Sequence, residues 1–293
     1  MRENIEYFAV EFLLWCASWM PKSWIYSIIK AIAIVLYYIL PKRRRLVYSN
    51  LKNVFPLFSE NELDKFAKKI YGNLSQSVSE ILLMFVDRFD IDKAIINFDE
   101  AIAKINEINS HNKGVILFTA HFSNWELLAH FISKHGLPFL VVGREGTNKI
   151  IDKNITIPFR NKYGNRAVYK KKAMIVMAKA LKNRETIGML IDQKTGGTHS
   201  AKIEFFGQKA NTTLSTAALK LKFDPLIIPT YVVREKRGHY RMYIDKPLEY
   251  TADEIEDEKE KMKAMTLRYN QALEHMILRA PEQWFWMHNR WKH

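Results

Sequence analysis

Residues 114–126 read GVILFTAHFSNWE, an apolar block that stops at a histidine, with a carboxylate five residues further on. The block Val115 to Phe118 is short, β-branched in part and preceded by Gly114, as suits a strand covered on both faces. Ser123 or Asn124 stands where a helix cap belongs, and the helix predicted after it runs through Trp125, Glu126, Leu127, Leu128, His130 and Phe131 until Gly136. His121 therefore falls in a strand-to-helix turn, and open α/β sheets bind ligands at the carboxyl ends of their strands. A neutral imidazole whose other nitrogen is held by Glu126 can take the proton of an alcohol as that alcohol attacks an acyl group. No serine or cysteine nucleophile is needed. The same spacing also suits a histidine that satisfies only local backbone groups, with Glu126 merely favoured near a helix N-terminus. The rest of the chain has to separate the two.

A chain of 293 residues suffices for one good core with an N-terminal attachment. Lysine and arginine number 45 against 31 acids, a net charge of +14, which predicts an anionic partner: nucleic acid, a phosphorylated substrate or a membrane surface. Cys16 is the only cysteine, which excludes an internal disulfide, a cysteine-rich zinc site and a CxxC pair, and fits a cytosol-facing protein. The first 40 residues favour the membrane, because Tyr7 to Met20 and Trp24 to Leu40 are dominated by aromatic and aliphatic side chains. Trp24 to Leu40 extends about 25 Å as a helix, short of a bilayer core of about 30 Å, and it carries Lys30. No small-residue cleavage site follows, and the basic run Lys42 to Arg45 predicts a cytoplasmic flank. The expected organisation is a hydrophobic membrane-anchoring segment over residues 1–45 and a cytoplasmic catalytic domain over 46–293. The alternatives for the first segment are helices of the globular core or helices lying flat in the interface, with Trp15, Trp19, Trp24, Tyr37 and Tyr38 at headgroup level.

Helices are predicted over Leu46 to Val54, from about Glu60 to Ile70 or beyond behind Ser59, and through Ser75 to Phe85. After Gly114 the pattern changes. Phe139 to Val142, Ala167 to Tyr169, Thr186 to Ile191, Ile203 to Phe206, Leu226 to Val233 and Tyr240 to Ile244 read as strands, and Ile150 to Tyr163, Ala173 to Leu181 and Thr213 to Lys222 as helices. The fold class is therefore α/β, a mixed central sheet flanked by helices, behind an N-terminal hydrophobic helical segment. Asp253 to Lys263 reads as a solvated helix face.

Walker, dinucleotide-binding, G-x-S-x-G and H-E-x-x-H patterns are absent from the sequence. What recurs after His121 is arginine at predicted element ends: Arg144, Arg160 in PFRNKYG, and Arg166, each able to grip phosphate or carboxylate or to serve a structural ion pair. In TIGMLIDQKTGG, Asp192 and Gln193 follow an apolar run as His121 follows its own. If the two strands are neighbours, Asp192 faces the same crevice and could orient an arginine, bind sugar hydroxyls or fix the loop; a turn-forming aspartate is the plainer alternative.

Taken together these residues resemble a family. RRRLVYSNLKNVFP after an apolar N-terminus, HFSNWE, the arginines of VGREG and PFRNKYG, IDQ followed by EFFG, and the final PEQWFWMHNRWK are similar to the bacterial lipid A biosynthesis acyltransferases, the late lauroyl or myristoyl transferases within the glycerolipid acyltransferase group. The resemblance covers nearly the whole chain. It implies an inner-membrane enzyme, its globular part facing the cytoplasm, that moves a fatty acyl group from acyl carrier protein or coenzyme A to a hydroxyl of a lipid acceptor. It implies His121 and the acid Glu126 as the catalytic dyad, with roles for Arg160 and Asp192 in activity; the wider group usually has H-x4-D, so Glu126 weakens the case for a glycerol-phosphate acceptor. On this reading His121 is the general base oriented by Glu126, Arg160 or backbone N–H groups after His121 meet the oxyanion, and Arg144, Arg166, Asp192, Gln193 and Lys170 to Lys172 serve the substrates. No metal or redox cofactor is expected. The rivals are acylation of another glycolipid, such as a phosphatidylinositol mannoside, or of a lysophospholipid, and a non-enzymatic basic membrane-surface protein. Nucleic acid fits poorly, since no recognition motif accompanies the charge.

Overall fold

Breaks at Pro21, Pro41 and Pro56 divide the N-terminal third into helices, in a computed structural model that describes residues 2–143, 146–169, 173–197 and 199–291. They are α1 (Arg2–Trp19), α2 (Lys22–Ile39), α3 (Pro41–Val54), α4 (Glu60–Phe85), the single turn α5 (Ile91–Ala94) and α6 (Phe98–Ser110). Ser59 and Glu62 cap α4 reciprocally, each side chain taking the other's backbone N–H. The helix expected from Glu60 to Ile70 or beyond continues through Gly72 into the one expected over Ser75 to Phe85. The domain boundary expected at residue 45 falls inside α3, whose Val47 and Leu51 are fully buried in the main core.

Next come β1 (Val115–Thr119), α7 (Trp125–Lys134), β2 (Phe139–Gly143), α8 (Lys149–Ile151), a π-helical turn (Asp152–Thr156), α9 (Ile157–Arg160) and β3 (Arg166–Tyr169). The chain continues through α10 (Ala173–Lys182), β4 (Thr186–Leu190), β5 (Ser200–Phe205), β6 (Gln208–Thr213), α11 (Ser215–Phe223), β7 (Leu226–Lys236), β8 (His239–Ile244) and α12 (Glu258–Leu278). Among the described residues the main sheet has the order β3-β2-β4-β1-β7-β8, parallel except for the antiparallel edge strand β8. This is the expected mixed α/β sheet flanked by helices. β1, between β4 and β7, is buried from Val115 to Phe118. One core holds Ile116, Phe118 and the buried apolar residues of α10 and α12; a second, on the opposite face of the sheet, holds Val115 and Leu117 with α6 and α7.

Ile203 to Phe206 is largely strand, as expected, yet it belongs to a separate hairpin, β5 with β6. Its partner QKANTT buries only Ala210 and Thr212, so polar composition masked the alternation that marks a strand. Across the molecule, α4 is tied to the sheet by a buried ion pair, Glu80 with Arg234 at 3.2 Å. Ser77 and Tyr240 accept further bonds from Arg234 at 2.6 and 2.7 Å, offsetting the desolvation of a charge that is 3 % exposed.

Candidate active site

The register Thr119↔Leu190 sets the C-terminal ends of β1 and β4 side by side, so His121 and Asp192, each two residues beyond, meet. The Asp192 Oδ1 lies 2.8 Å from His121 Nδ1, and its Oδ2 accepts from the backbone N–H of His121 at 3.0 Å. A third donor, the indole N–H of Trp284, reaches Oδ2 at 2.8 Å. Burial pushes the Asp192 carboxyl up, but the facing His121 and these hydrogen bonds outweigh it, and the group sits below its ordinary value. With Nδ1 donating to this carboxylate, Nε2 is the nitrogen left to accept a proton.

The turn carrying His121 is held from three sides. Ser77 donates to the carbonyl of Ser123 at 2.9 Å, the Ser123 N–H donates to Gln283 O at 2.8 Å, and the Phe285 N–H donates to His121 O at 2.9 Å. Ser123 adopts φ of 54°, which turns the chain out of β1 and into α7, capped by Asn124 through the Leu127 N–H at 3.0 Å.

Glu126, predicted to hold the His121 ring, is engaged elsewhere. Its Oε1 accepts from Arg160 Nη2 at 2.9 Å and Nε at 3.3 Å. The physical reason is the turn at Ser123: Glu126 is the second residue of α7, on a face that looks toward α9, whereas β4 delivers a carboxylate directly to the ring. The carboxylate that meets the His121 ring is therefore that of Asp192. The buried His130, one helical turn on, sets its ring nitrogens 2.7 Å from Glu126 O and 2.9 Å from Phe159 O, joining α7 to the short helix that ends in Arg160.

His121, Glu126, Arg160 and Gln193 line one end of a cavity of about 380 Å³ that runs between α7 and the sheet. Beyond them the walls are Leu117, Leu128, Val141 and Gly188. Gly188 pairs with Leu117 on one side and Val141 on the other, and its missing side chain makes room for the ring of Phe139 against the sheet. Phe139, at the start of β2, closes the far end: a Cβ on Gly188 would fall 2.5 Å from its ring.

Arg166 lies away from this cavity. It opens β3 and pairs with Glu185, just ahead of β4, at the N-terminal edge of parallel strands and so at the opposite end from His121. Arg144 and Lys170 to Lys172 lie outside the described residues. Trp284 was missed as a site residue; the concentration of tryptophan in WFWMHNRW signalled packing but not which acid its indole would meet. Arg290 is fully buried nearby, donating to Asn211 O and Thr212 Oγ1 at 2.7 Å, and burial pulls its guanidinium down to about 10 against the raising charge of Asp192.

The family model for bacterial lipid A biosynthesis acyltransferase matches residues 1–293. A lipid A biosynthesis lauroyltransferase of Escherichia coli (strain K12) is 26% identical over 286 residues, 96% of this chain and 89% of that protein. A lipid A biosynthesis palmitoleoyltransferase of the same strain is 26% identical over 261 residues, 86% of this chain and 80% of that protein. A lipid A biosynthesis acyltransferase of Haemophilus influenzae is 26% identical over 255 residues, 86% of this chain and 78% of that protein.

Proposed function

Because the chain belongs to the bacterial lipid A biosynthesis acyltransferase family, matched along its whole length, we propose that it moves a fatty acyl group from a thioester of acyl carrier protein or coenzyme A to a hydroxyl of a lipid A precursor, using His121 as general base. The observation that carries this reading is the pairing of His121 Nδ1 with Asp192 at 2.8 Å, at the mouth of an apolar slot. Nε2 takes the proton of the acceptor hydroxyl as its oxygen attacks the thioester carbonyl carbon. The tetrahedral oxyanion is met by the Arg160 guanidinium or by backbone N–H groups at the start of α7. On collapse the carbon–sulfur bond breaks, and the imidazolium returns its proton to the departing thiolate. Asp192 fixes the tautomer and stabilises the imidazolium; Glu126 is a positioning residue that acts through Arg160. Gln193 at the mouth contributes to acceptor binding. The basic run Lys42 to Arg45 favours a cytoplasmic site on the inner membrane.

The direct test is transfer from labelled acyl carrier protein and acyl coenzyme A thioesters to a lipid A precursor disaccharide, with products read by mass spectrometry. No acylated precursor from either donor would sink the reading. In the same assay Glu126→Gln is expected to lower turnover roughly 10²-fold, in the range of a lost oxyanion partner. The downfield proton resonance of the His121 Nδ1–H should persist in that variant; its loss would restore Glu126 as the orienting acid.

The slot accepts the acyl chain on this proposal, and Gly188 and Phe139 set its depth. Gly188→Val, whose Cβ would fall 2.5 Å from the Phe139 ring and so drive that ring into the slot, is expected to abolish use of long chains while short thioesters remain substrates, and Phe139→Leu to move the preference toward longer chains. A graded series of acyl thioesters offered in competition reads both shifts, and an unchanged product profile would place the chain elsewhere.

A further inference from the structure

The last described stretch of the chain, Pro281 to Trp291, has no regular element beyond one 3₁₀ turn, Pro281–Gln283, yet Trp284, Trp286 and Arg290 within it are almost wholly buried. Buried backbone outside a helix or sheet must find its hydrogen-bond partners elsewhere. Here two primary amides tie the stretch to the rest of the fold. One is Asn50 of α3, inside the RRRLVYSNLKNVFP segment and buried: its Nδ2 donates to Trp286 O at 2.7 Å and to His288 O at 2.8 Å. Both hydrogens of one side chain are thereby committed to the C-terminal stretch.

The other amide, Gln283, faces β7. β1 pairs with β7 only as far as Pro229, so further along β7 another group has to take the backbone of Arg234. Gln283 does so at two points: its Oε1 accepts from the Arg234 N–H at 2.9 Å, and its Nε2 donates to Arg234 O at 2.9 Å. Arg234 is a firm anchor, since its own guanidinium is held by Glu80 and Tyr240. It also donates to Ser77, which in turn donates to Ser123 O, so Arg234 reaches the His121 turn by its side chain as well as through Gln283.

What lies between the two amides is the set of bonds that shapes the site. Gln283 O takes the Ser123 N–H, the Trp284 indole donates to Asp192, and the Phe285 N–H donates to His121 O. Packing alone would be served by apolar side chains at both positions; buried amides add direction, because each must meet its partners at fixed angles.

We propose that Asn50 and Gln283 are positioning residues for acyl transfer, an inference that rests on His121 being the general base. By pinning the C-terminal stretch to α3 and to β7 they hold the His121 turn and Asp192 in register, so that the bond to Nδ1 keeps its length and Nε2 keeps its direction. Neither amide touches the cavity beside α7, and neither meets substrate.

Asn50→Leu and Gln283→Met remove these bonds at similar side-chain size and leave the Glu80 and Arg234 pair intact. In each variant, turnover should fall roughly 10²-fold, the cost of a misplacement of about 1 Å, at unchanged KM for donor and acceptor. In the substrate-free full chain, the His121 Nδ1–H, followed by proton resonance after selective ¹⁵N-histidine labelling, should exchange with water roughly tenfold faster as the turn loosens. Thermal unfolding establishes that the variants are folded. Turnover within about twofold of the parent's, a rise in KM alone, or an unaltered exchange rate overturns the proposal, and so does loss of the fold in both variants. A parent protein that transfers no acyl group fails the proposed function instead, and the exchange rate then decides the positioning by itself.

Discussion

His121→Ala is expected to lower acyl transfer by about 10³-fold, the middle of the range for removing a positioned general base. The fold should survive, because the ring is 27 % exposed and lies at the mouth of the slot rather than in either core. Asp192 keeps two of its three donors in the variant, the Trp284 indole and the backbone N–H at residue 121. The residual rate reports what binding and oxyanion stabilisation contribute alone. Single-turnover transfer with donor and acceptor saturating isolates the chemical step, and a rate within tenfold of the parent would remove His121 from the mechanism.

Asp192→Asn is expected to cost as much, roughly 10³- to 10⁴-fold, although only one atom changes. Both oxygens of Asp192 accept: Oδ1 from the ring, Oδ2 from Trp284 and the His121 backbone. An amide cannot do this in either orientation. With its NH₂ in the place of Oδ2 it faces two donors inside a site that is 2 % exposed, and a buried polar clash of that kind costs about 1–3 kcal/mol. With its NH₂ in the place of Oδ1 it forces Nδ1 to accept, moves the ring proton to Nε2 and so blocks the base. Thermal unfolding measured beside turnover separates the two orientations, since the first lowers stability and the second lowers rate at nearly parental stability. Parental activity together with parental stability would exclude Asp192 from the site.

The strand, turn and helix around His121 were legible because periodicity switches there within a few residues, and the mirrored position of Asp192 was legible because its apolar run ends in the same way. What the sequence concealed was strand order. Adjacency of β1 and β4 is a long-range pairing that no local pattern encodes, and it decides which carboxylate meets the imidazole. The H-x4-E spacing implied contact between His121 and Glu126, but a positive φ at Ser123 turns that contact aside. Arg166 misled for a related reason: a strand's first residue and its last are both element ends, and only chain direction separates them. α6 was not anticipated although Ala101, Ile105 and Ile108 recur at helical spacing, because the polar residues between them thin the stripe.

Trp284 sits at the far end of the chain from the histidine whose carboxylate it holds, with Gln283 and Phe285 bonded to the same turn. During synthesis, β1 and β4 therefore leave the ribosome well before the segment that fixes their ends. A nascent chain short of Ala280 has neither the indole on Asp192 nor the bridge from Phe122 to Trp284. The turn that presents His121 is therefore tied down only by the last segment of the chain to be made.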